Sequence, residues 1–237
     1  MEHNSYHISI IIPTYNEAHN IENLIYDIAN TLTDIDYEIL IIDDSSPDHT
    51  YEIVKTIAMN NTNIYPIQRP RKMGLSSAIL DGFQNSSGRL IVIMDSDLSH
   101  QPSDLLTMLE ASANADIVIG SRYIKGGRII GWSLLRHIAS RTANWLSKTL
   151  VRTGINDSTS GFVIFQRETL ESVRHLIKAK GFKFLLEVLA YSPNSLAIEI
   201  PITFVNRTKG RSKFNIKEIL LFLSICLSLS IRRLKQK

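Results

Sequence analysis

The sequence predicts an α/β fold with a mostly parallel central sheet flanked by helices. Short apolar runs rich in Ile, Leu and Val recur between Ile8 and Gly120, and segments with helical spacing of apolar residues separate them. Strands and helices that alternate in this way form parallel βαβ units with right-handed crossovers. The chain has 237 residues, enough for one such domain with a modest extension, and its single Cys226 excludes an intramolecular disulfide.

The first two strand and helix units lie at the start of the chain. Ile8–Ile12 is a predicted strand, and the apolar positions between Ile21 and Ile28 predict the helix that follows it. Tyr37–Ile42 is the second predicted strand, and Asp48 is expected to cap the next helix. The alternating pattern then continues in order with a strand at Ile64–Gln68, a helix at Ser76–Gln84, a strand at Leu90–Met94, a helix at Pro102–Ala113 and a strand at Asp116–Gly120.

The strand at Leu90–Met94 is the centre of the prediction, because two aspartates follow it directly. Its unbroken apolar run is typical of a strand buried on both faces. Burying Asp95 and Asp97 unpaired would be costly, so they are expected at the carboxyl end of the strand, where open α/β sheets bind ligands. Two carboxylates at this spacing can share a hard divalent cation that holds a diphosphate. A solvated turn with an Asp cap is the alternative for an isolated Asp-x-Asp.

Other acidic residues are predicted to join this edge. Glu17 follows the first strand, and Asp43 and Asp44 follow the second. Because the carboxyl ends of parallel strands meet at one edge of a sheet, these side chains favour a binding cleft over scattered solvated turns.

After Gly120 the pattern changes to an amphipathic, basic segment. A helix is predicted at Trp132–Arg152, with its apolar residues on one face and Arg141, Lys148 and Arg152 beside it. Such a helix either lies in a membrane interface or packs on the core. The apolar residues of that face are Leu134, Leu135, Ile138, Trp145, Leu146 and Leu150. Three further elements are predicted in order, a strand at Gly161–Gln166, a helix at Gly181–Tyr191 and an extended segment at Leu196–Val205.

Charge is distributed unevenly along the chain. Lys55 is the only Lys or Arg among the first sixty residues, whereas Glu218 is the only acid beyond Thr203. The basic C-terminal part is suited to an anion such as a phosphate or a membrane surface. It lacks interleaved aromatic residues for base stacking, so nucleic acid is not expected as a partner. The net charge is only +3.

The last apolar stretch, Ile219–Ile231, is too short to cross a bilayer. As a helix it reaches roughly 20 Å, against roughly 30 Å for the hydrocarbon core. The stretch is therefore expected to lie in the membrane interface, with the basic tail adding attraction to an anionic leaflet. A docking helix for a partner subunit or a second copy is the alternative. Met1–His7 is polar, so no secretory signal is expected, and a cytoplasmic setting follows.

Five motifs occur in the order and spacing of one known family. They are Pro13-Thr-Tyr-Asn-Glu17, Asp43-Asp44-Ser-Ser-Pro-Asp48, Met94-Asp-Ser-Asp-Leu-Ser-His-Gln-Pro102, Ser121-Arg-Tyr123 and Phe204-Val-Asn-Arg-Thr-Lys-Gly-Arg-Ser-Lys213. The chain resembles the inverting family 2 glycosyltransferases of GT-A fold, and within them the dolichol-phosphate or polyprenol-phosphate mannose synthases. The resemblance covers residues 8 to 216. A catalytic domain is therefore expected over residues 1–215, and the apolar and basic segment at 216–237, which is not diagnostic of the family, is expected to form an interfacial helix.

The resemblance also implies roles for individual residues. It implies that Asp95 and Asp97 hold Mg²⁺ or Mn²⁺ against the diphosphate of a nucleotide sugar, with Ser96 at the nucleotide. Ser99 stands where some members carry a Gln metal contact, which leaves the metal preference open. The implied nucleotide pocket consists of Pro13, Tyr15, Glu17, Ile42 and Asp44. The implied phosphate ligands are Arg122, Arg207 and Lys213.

The implied reaction moves mannose from GDP-mannose to a polyprenyl phosphate at the cytoplasmic face of a membrane. A phosphate acceptor needs cations rather than a base, and Arg122, Arg141 and the loop at 207–213 offer them. Asp157 and Glu187 are candidate bases if the acceptor is instead a hydroxyl. The same site also fits a UDP-sugar donor. A non-catalytic nucleotide-sugar-binding protein and a membrane-anchoring partner subunit are the further alternatives.

Overall fold

The computed structural model describes residues 8–178, 183–206 and 222–230. The strands are β1 (Ile8–Thr14), β2 (Tyr37–Asp43), β3 (Ile64–Gln68), β4 (Leu90–Ile93), β5 (Ile117–Ser121), β6 (Arg128–Ile130), β7 (Val163–Gln166), β8 (Ala197–Pro201) and β9 (Thr203–Val205). The α-helices are α1 (Ile21–Thr31), α2 (Thr50–Ala58), α3 (Leu75–Asn85), α4 (Asp104–Ser112), α5 (Leu134–Leu146), α6 (Arg167–Val173), α7 (Phe184–Tyr191) and α8 (222–230). A π-helical turn at Ser147–Val151 extends α5, and a 3-10 turn at Arg174–Leu176 follows α6.

The central sheet has the strand order β3-β2-β1-β4-β7-β5-β8. All its pairings are parallel except those of β7, which runs antiparallel to β4 and β5. This confirms the predicted α/β fold with a mostly parallel sheet. Because Val163 pairs with Ile93, the amino end of β7 lies beside the carboxyl end of β4. The loop that enters β7 therefore arrives at the same edge as Asp95 and Asp97. Strands β6 and β9 form a separate parallel pair.

The core consists of two apolar layers, one on each face of the sheet. On β1, Ile10 and Ile12 belong to the layer covered by α1, α2 and α4, whereas Ile11 belongs to the layer covered by α3, α6 and α7. Alternate side chains of a strand point to opposite faces, so a strand covered on both sides has to be apolar throughout. This is the physical reason for the unbroken runs in the sequence.

Some predicted boundaries differ from the structure by one or two residues. The residue directly before α2 is His49, which has φ 68°. Asp48 therefore lies one residue before the position expected for the helix cap. The Asp48 carboxylate accepts hydrogen bonds from Thr50 N–H (3.2 Å) and Ala18 N–H (3.0 Å) and so joins the loops after β1 and β2. Burial opposes this charge, but a hydrogen bond from the Thr50 hydroxyl (2.5 Å) together with the two backbone bonds outweighs it and lowers the pKa of Asp48. Helix α6 was not predicted.

The amphipathic face predicted for 132–152 divides in the structure. Leu134, Leu135, Ile138 and Trp145 are 73%, 77%, 54% and 63% exposed, so these four do not pack on the core. Leu146 and Leu150 instead pack beside a third apolar cluster, which unites Val151, two residues of α7 and three of α8. The α7 and α8 members of this cluster are Leu186, Ala190, Phe222, Cys226 and Leu229.

Helix α8 therefore buries one face against the body of the protein. No helix in the three described ranges combines the length and apolar character needed to cross a bilayer. The basic loop at 207–213, with Arg207 and Lys213, lies outside the described residues, as do 214–221 and 231–237.

Candidate active site

A cavity of about 400 Å³ lies at the carboxyl edge of the sheet. It is formed by the loops after β1, β2, β4 and β5 together with the loop that enters β7. The predicted site residues among its lining are Pro13, Tyr15, Glu17, Asp44, Asp95, Ser96, Asp97 and Arg122. Ile42 is not a lining residue, because its side chain is fully buried in the core beneath the cavity.

One end of the cavity is built around Asp44, which is 5% exposed. Its Oδ2 accepts hydrogen bonds from the N–H groups of Met73 (3.1 Å) and Gly74 (3.0 Å), and its Oδ1 lies 2.9 Å from Arg69 Nη1. Asp44 thereby fixes the loop between β3 and α3. From this loop, Lys72 places its Nζ 3.3 Å from the centre of the Tyr15 ring. This end therefore presents an aromatic face, a cation and a fixed carboxylate.

Asp43 has a structural role next to this end. Its carboxylate accepts hydrogen bonds from Thr14 Oγ1 (3.1 Å) and Ser46 N–H (2.8 Å), and its side chain is fully buried. Glu17 lines the cavity, and its Oε2 accepts a hydrogen bond from Asn20 Nδ2 at 2.7 Å. The Glu17 N–H donates to Thr50 Oγ1 (3.0 Å), and this bond ties the two neighbouring loops together at the start of α1 and α2.

The centre of the cavity is acidic. Asp95 and Asp97 follow β4, and Ser96 between them donates a hydrogen bond to the Pro13 carbonyl (3.1 Å). Asp97 Oδ1 accepts a hydrogen bond from the N–H of Ser99 at 3.1 Å, which orients that carboxylate. Gly161 leaves the space that Asp95 needs, because a Cβ at this position would lie 2.6 Å from Asp95 Oδ2.

This donor set fits Mg²⁺ or Mn²⁺. Both are hard ions, and Mg²⁺ is commonly held by one or two carboxylates plus substrate phosphates rather than by an all-protein cage. Within the described residues no group of three or more Asp, Glu, His or Cys side chains is placed to hold a metal. Asp95 and Asp97 would then supply the protein ligands and leave positions for a diphosphate.

His100 supports the acidic centre from below. Its ring stacks on Phe162 (centroids 5.1 Å apart) and meets Phe204 edge-on, and its Nδ1 accepts a hydrogen bond from Asp95 N–H (3.3 Å). Burial lowers the pKa of His100 to about 4, although the nearby Asp97 charge opposes the shift. The imidazole is therefore neutral at neutral pH. These contacts give His100 a packing role beneath the two aspartates.

The opposite end of the cavity is basic. Arg122 donates from Nε and Nη2 to the two carboxylate oxygens of Asp157, both at 2.7 Å, and from its backbone N–H to Asp157 Oδ2. Burial opposes the guanidinium charge, but the Asp157 hydrogen bonds and charge outweigh it and raise the pKa of Arg122. Arg136 is the second cation of this end, with its guanidinium 4.0 Å from the Trp132 ring centre and bonded to Asn206 Oδ1 (2.8 Å).

Neither candidate base lies in the cavity wall. Asp157 is fully buried behind Arg122, and Glu187 is buried on α7, where it accepts a hydrogen bond from Lys178 N–H (3.0 Å). Arg141, one of the expected cations, is not a lining residue either, and its guanidinium lies 6.0 Å from the Tyr123 ring.

Sequence reasoning did not assign Lys72, Arg136 and Gly161 to the site. Lys72 and Arg136 are ordinary basic residues in the sequence, and only the direction of their loop and helix brings them to the cavity. Gly161 carries a weak signal, since a glycine before a predicted strand is consistent with a close approach of another group.

The fold and cavity together define a class of enzyme. A parallel sheet with an Asp-x-Asp pair at its carboxyl edge, between an aromatic and a basic end, is the arrangement expected for a nucleotide-sugar transferase of GT-A fold. The glycosyl transferase family 2 model matches residues 9–174, which include β1 to β7. The chain belongs to glycosyl transferase family 2.

Two curated relatives are similar over most of the chain. This chain is 39% identical over 222 residues to the dolichol-phosphate mannosyltransferase of Pyrococcus furiosus. The alignment covers 91% of this chain and 61% of that protein. This chain is 36% identical over 220 residues to the polyprenol monophosphomannose synthase of Mycolicibacterium smegmatis. The alignment covers 88% of this chain and 82% of that protein. The chain thus spans less than two thirds of the length of the Pyrococcus furiosus relative.

Solved structures support the fold assignment. Glucosyl-3-phosphoglycerate synthase from Mycobacterium tuberculosis, crystallised with Mn²⁺, UDP and glucosyl-3-phosphoglycerate, aligns with a TM-score of 0.70 at 17% identity. The alignment covers 96% of this chain and 80% of that one. The same enzyme with Mn²⁺, UDP-glucose and glycerol 3-phosphate gives a TM-score of 0.68. Both confirm the predicted GT-A fold.

Proposed function

We propose that this chain transfers mannose from GDP-mannose to the phosphate of a dolichyl or other polyprenyl lipid, with inversion at the anomeric carbon. The names of the two curated relatives support the sugar and the acceptor class. The observation that carries the proposal is the chemistry of the two cavity ends, one suited to a nucleotide and the other to an anion.

The strand order supports an assignment of the two ends. In the sheet, β2 and β1 lie on one side of β4, and β5 lies on the other side, beyond β7. The nucleotide of the donor would bind over the Tyr15 and Asp44 end, with its diphosphate at Asp95 and Asp97. Arg122 and Arg136 then lie on the acceptor side, where two guanidinium groups suit a phosphate.

The residues at the acceptor end do not suit a hydroxyl acceptor, which needs a base. Asp157 is the carboxylate closest to Arg122, and its oxygens already accept hydrogen bonds from that side chain and from Thr159 Oγ1 (3.2 Å) and Asn144 Nδ2 (3.3 Å). Asp157 is also fully buried and does not line the cavity, so it is not placed to take a proton from an acceptor bound there. A phosphate acceptor avoids this requirement, because the second pKa of a phosphomonoester is roughly 6.

The proposed step balances without proton transfer to the protein. A deprotonated oxygen of the acceptor phosphate attacks the anomeric carbon and forms the new C–O bond. The bond from that carbon to the β-phosphate oxygen breaks, and GDP leaves with the electron pair. Arg122 and Arg136 hold the attacking phosphate in line with the anomeric carbon. Asp95 and Asp97 would hold a divalent ion, which when bound would supply Lewis-acid stabilisation of the departing diphosphate.

The proposal includes binding at the cytoplasmic face of a membrane, where the acceptor phosphate is found. The exposed apolar side chains of α5 support it, because Leu134 and Leu135 lie on the same helix as Arg136 of the acceptor end. A helix with exposed Leu, Ile and Trp next to basic residues is suited to the headgroup region. A membrane-anchoring partner subunit would strengthen this binding but is not required by the proposed step.

The test is transfer of radiolabelled sugar into extractable polyprenyl phosphate, with GDP-mannose, UDP-glucose and UDP-N-acetylglucosamine assayed in parallel. We expect label from GDP-mannose, lost with EDTA and in Asp97→Ala. If label comes only from a UDP-sugar, the proposed donor is wrong and the proposed acceptor is kept. Transfer to a soluble sugar alcohol, with no lipid label from any donor, would overturn the proposal.

A further inference from the structure

Glu199 is a carboxylate on β8 that lies outside the cavity lining but next to the acceptor end. Its Oε1 accepts hydrogen bonds from Ser121 Oγ (2.7 Å) and Asp157 N–H (2.9 Å). Its Oε2 accepts two more from Asn156, from the backbone N–H (2.9 Å) and from Nδ2 (2.8 Å). Four donors thus converge on one carboxylate. They come from the residue before Arg122 and from the segment that carries Asp157.

These contacts bear on the orientation of Arg122. Asp157 binds the Nε and Nη2 edge of the guanidinium, and Thr159 Oγ1 accepts a further bond from Nη2 (3.0 Å). Nη1 makes no hydrogen bond to another residue of the described part of the chain, which leaves it for a ligand in the cavity that Arg122 lines. The direction of Nη1 therefore depends on where Asp157 is held.

We propose that Glu199 is a positioning residue for the acceptor phosphate. It holds the end of β5 through Ser121 and the Asn156–Asp157 segment through three hydrogen bonds, and Asp157 in turn sets the plane of the Arg122 guanidinium. The inference rests on the proposed function, in which Arg122 holds the acceptor. Glu199 itself touches neither substrate.

The chemistry of the site makes Glu199→Gln a specific probe. Glutamine has nearly the same volume, but only one of its two terminal groups accepts hydrogen bonds, and its NH₂ group donates. Each Glu199 oxygen accepts from two donors, so the two donors that face the glutamine NH₂ group would lose their acceptor. The Asn156–Asp157 segment has to shift, whereas Asn144 and Thr159 still hold Asp157 from the other side. Arg122 is expected to stay paired but turned away from its productive direction.

The first test is a comparison of steady-state constants in Glu199→Gln and wild type. We expect the KM for polyprenyl phosphate to rise about 10-fold, since guanidinium and phosphate pairing depends on geometry, with the KM for the nucleotide sugar within about twofold of wild type. Glu199→Asp, which keeps the charge, should recover part of the loss. In an Arg122→Lys background, Glu199→Gln should add little, because the two residues act through one guanidinium.

Glu38→Gln is the matched control. Glu38 is a buried carboxylate on β2 whose Oε1 accepts hydrogen bonds from Ser9 Oγ (2.6 Å) and Ser87 Oγ (2.8 Å), and it lies outside the cavity lining. The Glu38→Gln variant should lower the melting temperature as Glu199→Gln does, yet leave the KM values for polyprenyl phosphate and for the nucleotide sugar near wild type. An equal rise of the acceptor KM in both variants would mean that general loosening is the cause, and would overturn the proposal.

A spectroscopic measurement tests the inference without relying on the transferase reaction. The Nε–H signal of Arg122 in a ¹⁵N-resolved NMR spectrum can be assigned by its loss in Arg122→Lys. We expect Glu199→Gln to shift it and to speed its hydrogen exchange, with Glu38→Gln leaving it unchanged. If wild type makes no lipid-linked sugar but this signal responds, the proposed function fails, whereas the effect of Glu199 on the orientation of Arg122 stands. An unchanged signal with an unchanged acceptor KM overturns the role of Glu199.

Discussion

Gly161 and Asp95 approach each other so closely that a Cβ at residue 161 would lie 2.6 Å from Asp95 Oδ2. Gly161→Ala should therefore displace the carboxylate that is expected to hold the metal. We expect transferase activity to fall at least about 100-fold at a limiting Mn²⁺ concentration, with partial recovery when Mn²⁺ is raised, because displacing a metal ligand weakens the affinity first. A titration of activity against Mn²⁺ measures this.

Gly88→Ala is the control for the Gly161 experiment. A Cβ at residue 88 would lie 2.5 Å from the Ser9 backbone nitrogen, away from the cavity, so this variant should lose stability. The Mn²⁺ dependence of its remaining activity should match wild type. If Gly161→Ala titrates with Mn²⁺ like Gly88→Ala, the close approach to Asp95 has no role in metal binding.

Metal binding should also be visible without turnover. Because Asp95 and Asp97 leave coordination positions for a diphosphate, Mn²⁺ and GDP together should raise the melting temperature more than either alone. At about 100 times the dissociation constant the gain is about 2.7 kcal/mol, or roughly 5 to 10 °C for a domain of this size. Asp97→Asn should abolish the joint shift, whereas Asp27→Asn, an exposed change on α1, should keep it. A full shift in Asp97→Asn would contradict the assignment.

Arg69 organises the cavity end built around Asp44, where the nucleotide is proposed to bind, from a buried position. It is 4% exposed and lies 2.9 Å from Asp44 Oδ1 and 3.1 Å from Asp81 Oδ2. Lysine has one nitrogen and can keep only part of this pairing. We expect Arg69→Lys to raise the KM for the nucleotide sugar about 10-fold, corresponding to about 1.4 kcal/mol, with the acceptor KM unchanged.

The exposed pair Arg174 and Glu171, 2.7 Å apart, offers a matched control for Arg69. Arg174→Lys should leave both KM values unchanged, because exposed ion pairs contribute little. A rise in the acceptor KM of Arg69→Lys equal to the rise for the donor would show that Arg69 stabilises the whole cavity rather than one end.

Cys226 reports on the packing of α8. Burial raises the pKa of its thiol to about 11, and the nearby Lys183 charge opposes the shift only in part. The folded state therefore favours the neutral thiol, so this contribution to stability is present below the ordinary thiol pKa and is lost as the pH rises towards 11. Iodoacetamide should label the native protein slowly at pH 8 and faster as the pH approaches 11.

The control for the thiol is Phe222→Ala, which removes a neighbour of Cys226 in the same cluster. It should speed labelling at pH 8 and lower the free energy of unfolding by about 3 kcal/mol. Labelling of the wild type at pH 8 as fast as in urea would mean that α8 does not cover the thiol.

Local sequence patterns predicted the strands and the acidic edge for a physical reason. A strand covered on both faces must be apolar, and a polar residue after it must reach solvent or a ligand, so Asp95 and Asp97 could be assigned from a few residues. Arg122 and Asp157 could not be paired in this way. Their contact spans 35 positions and depends on β7 running antiparallel, which carries the preceding loop back to the acidic edge.

The same limit applies to the helices. Arg136 of α5 lines the cavity, and its guanidinium donates a hydrogen bond to Asn206, the residue after β9. No local spacing in the sequence encodes the direction in which α5 runs. Ile42 is the opposite case, a residue that was expected in the site and lies outside the cavity lining. The family resemblance implied a contact with the base or ribose, and the structure places the Ile42 side chain in the core, with its carbonyl near Thr14 Oγ1 (3.4 Å).

Membrane binding is best tested through α5 rather than by removing the C-terminal segment. Deleting residues after 217 would also remove Phe222, Cys226 and Leu229 from their cluster and so lower stability. Leu134 and Leu135 are 73% and 77% exposed, so changing both to Gln should cost little folding energy. Because each buried leucine contributes about 1.5 to 3 kcal/mol, partial insertion of both should strengthen vesicle binding at least about 10-fold.

We therefore expect the double variant to bind anionic vesicles at least about 10-fold more weakly than wild type in a co-sedimentation assay, with an unchanged melting temperature. Leu106→Gln, which alters a leucine on α4 that is 43% exposed, should bind as wild type does. Equal binding of all three proteins would exclude α5 as the membrane-facing surface. A loss in the α5 variant alone would orient the cavity end that holds Arg136 towards the bilayer, the proposed source of the acceptor phosphate.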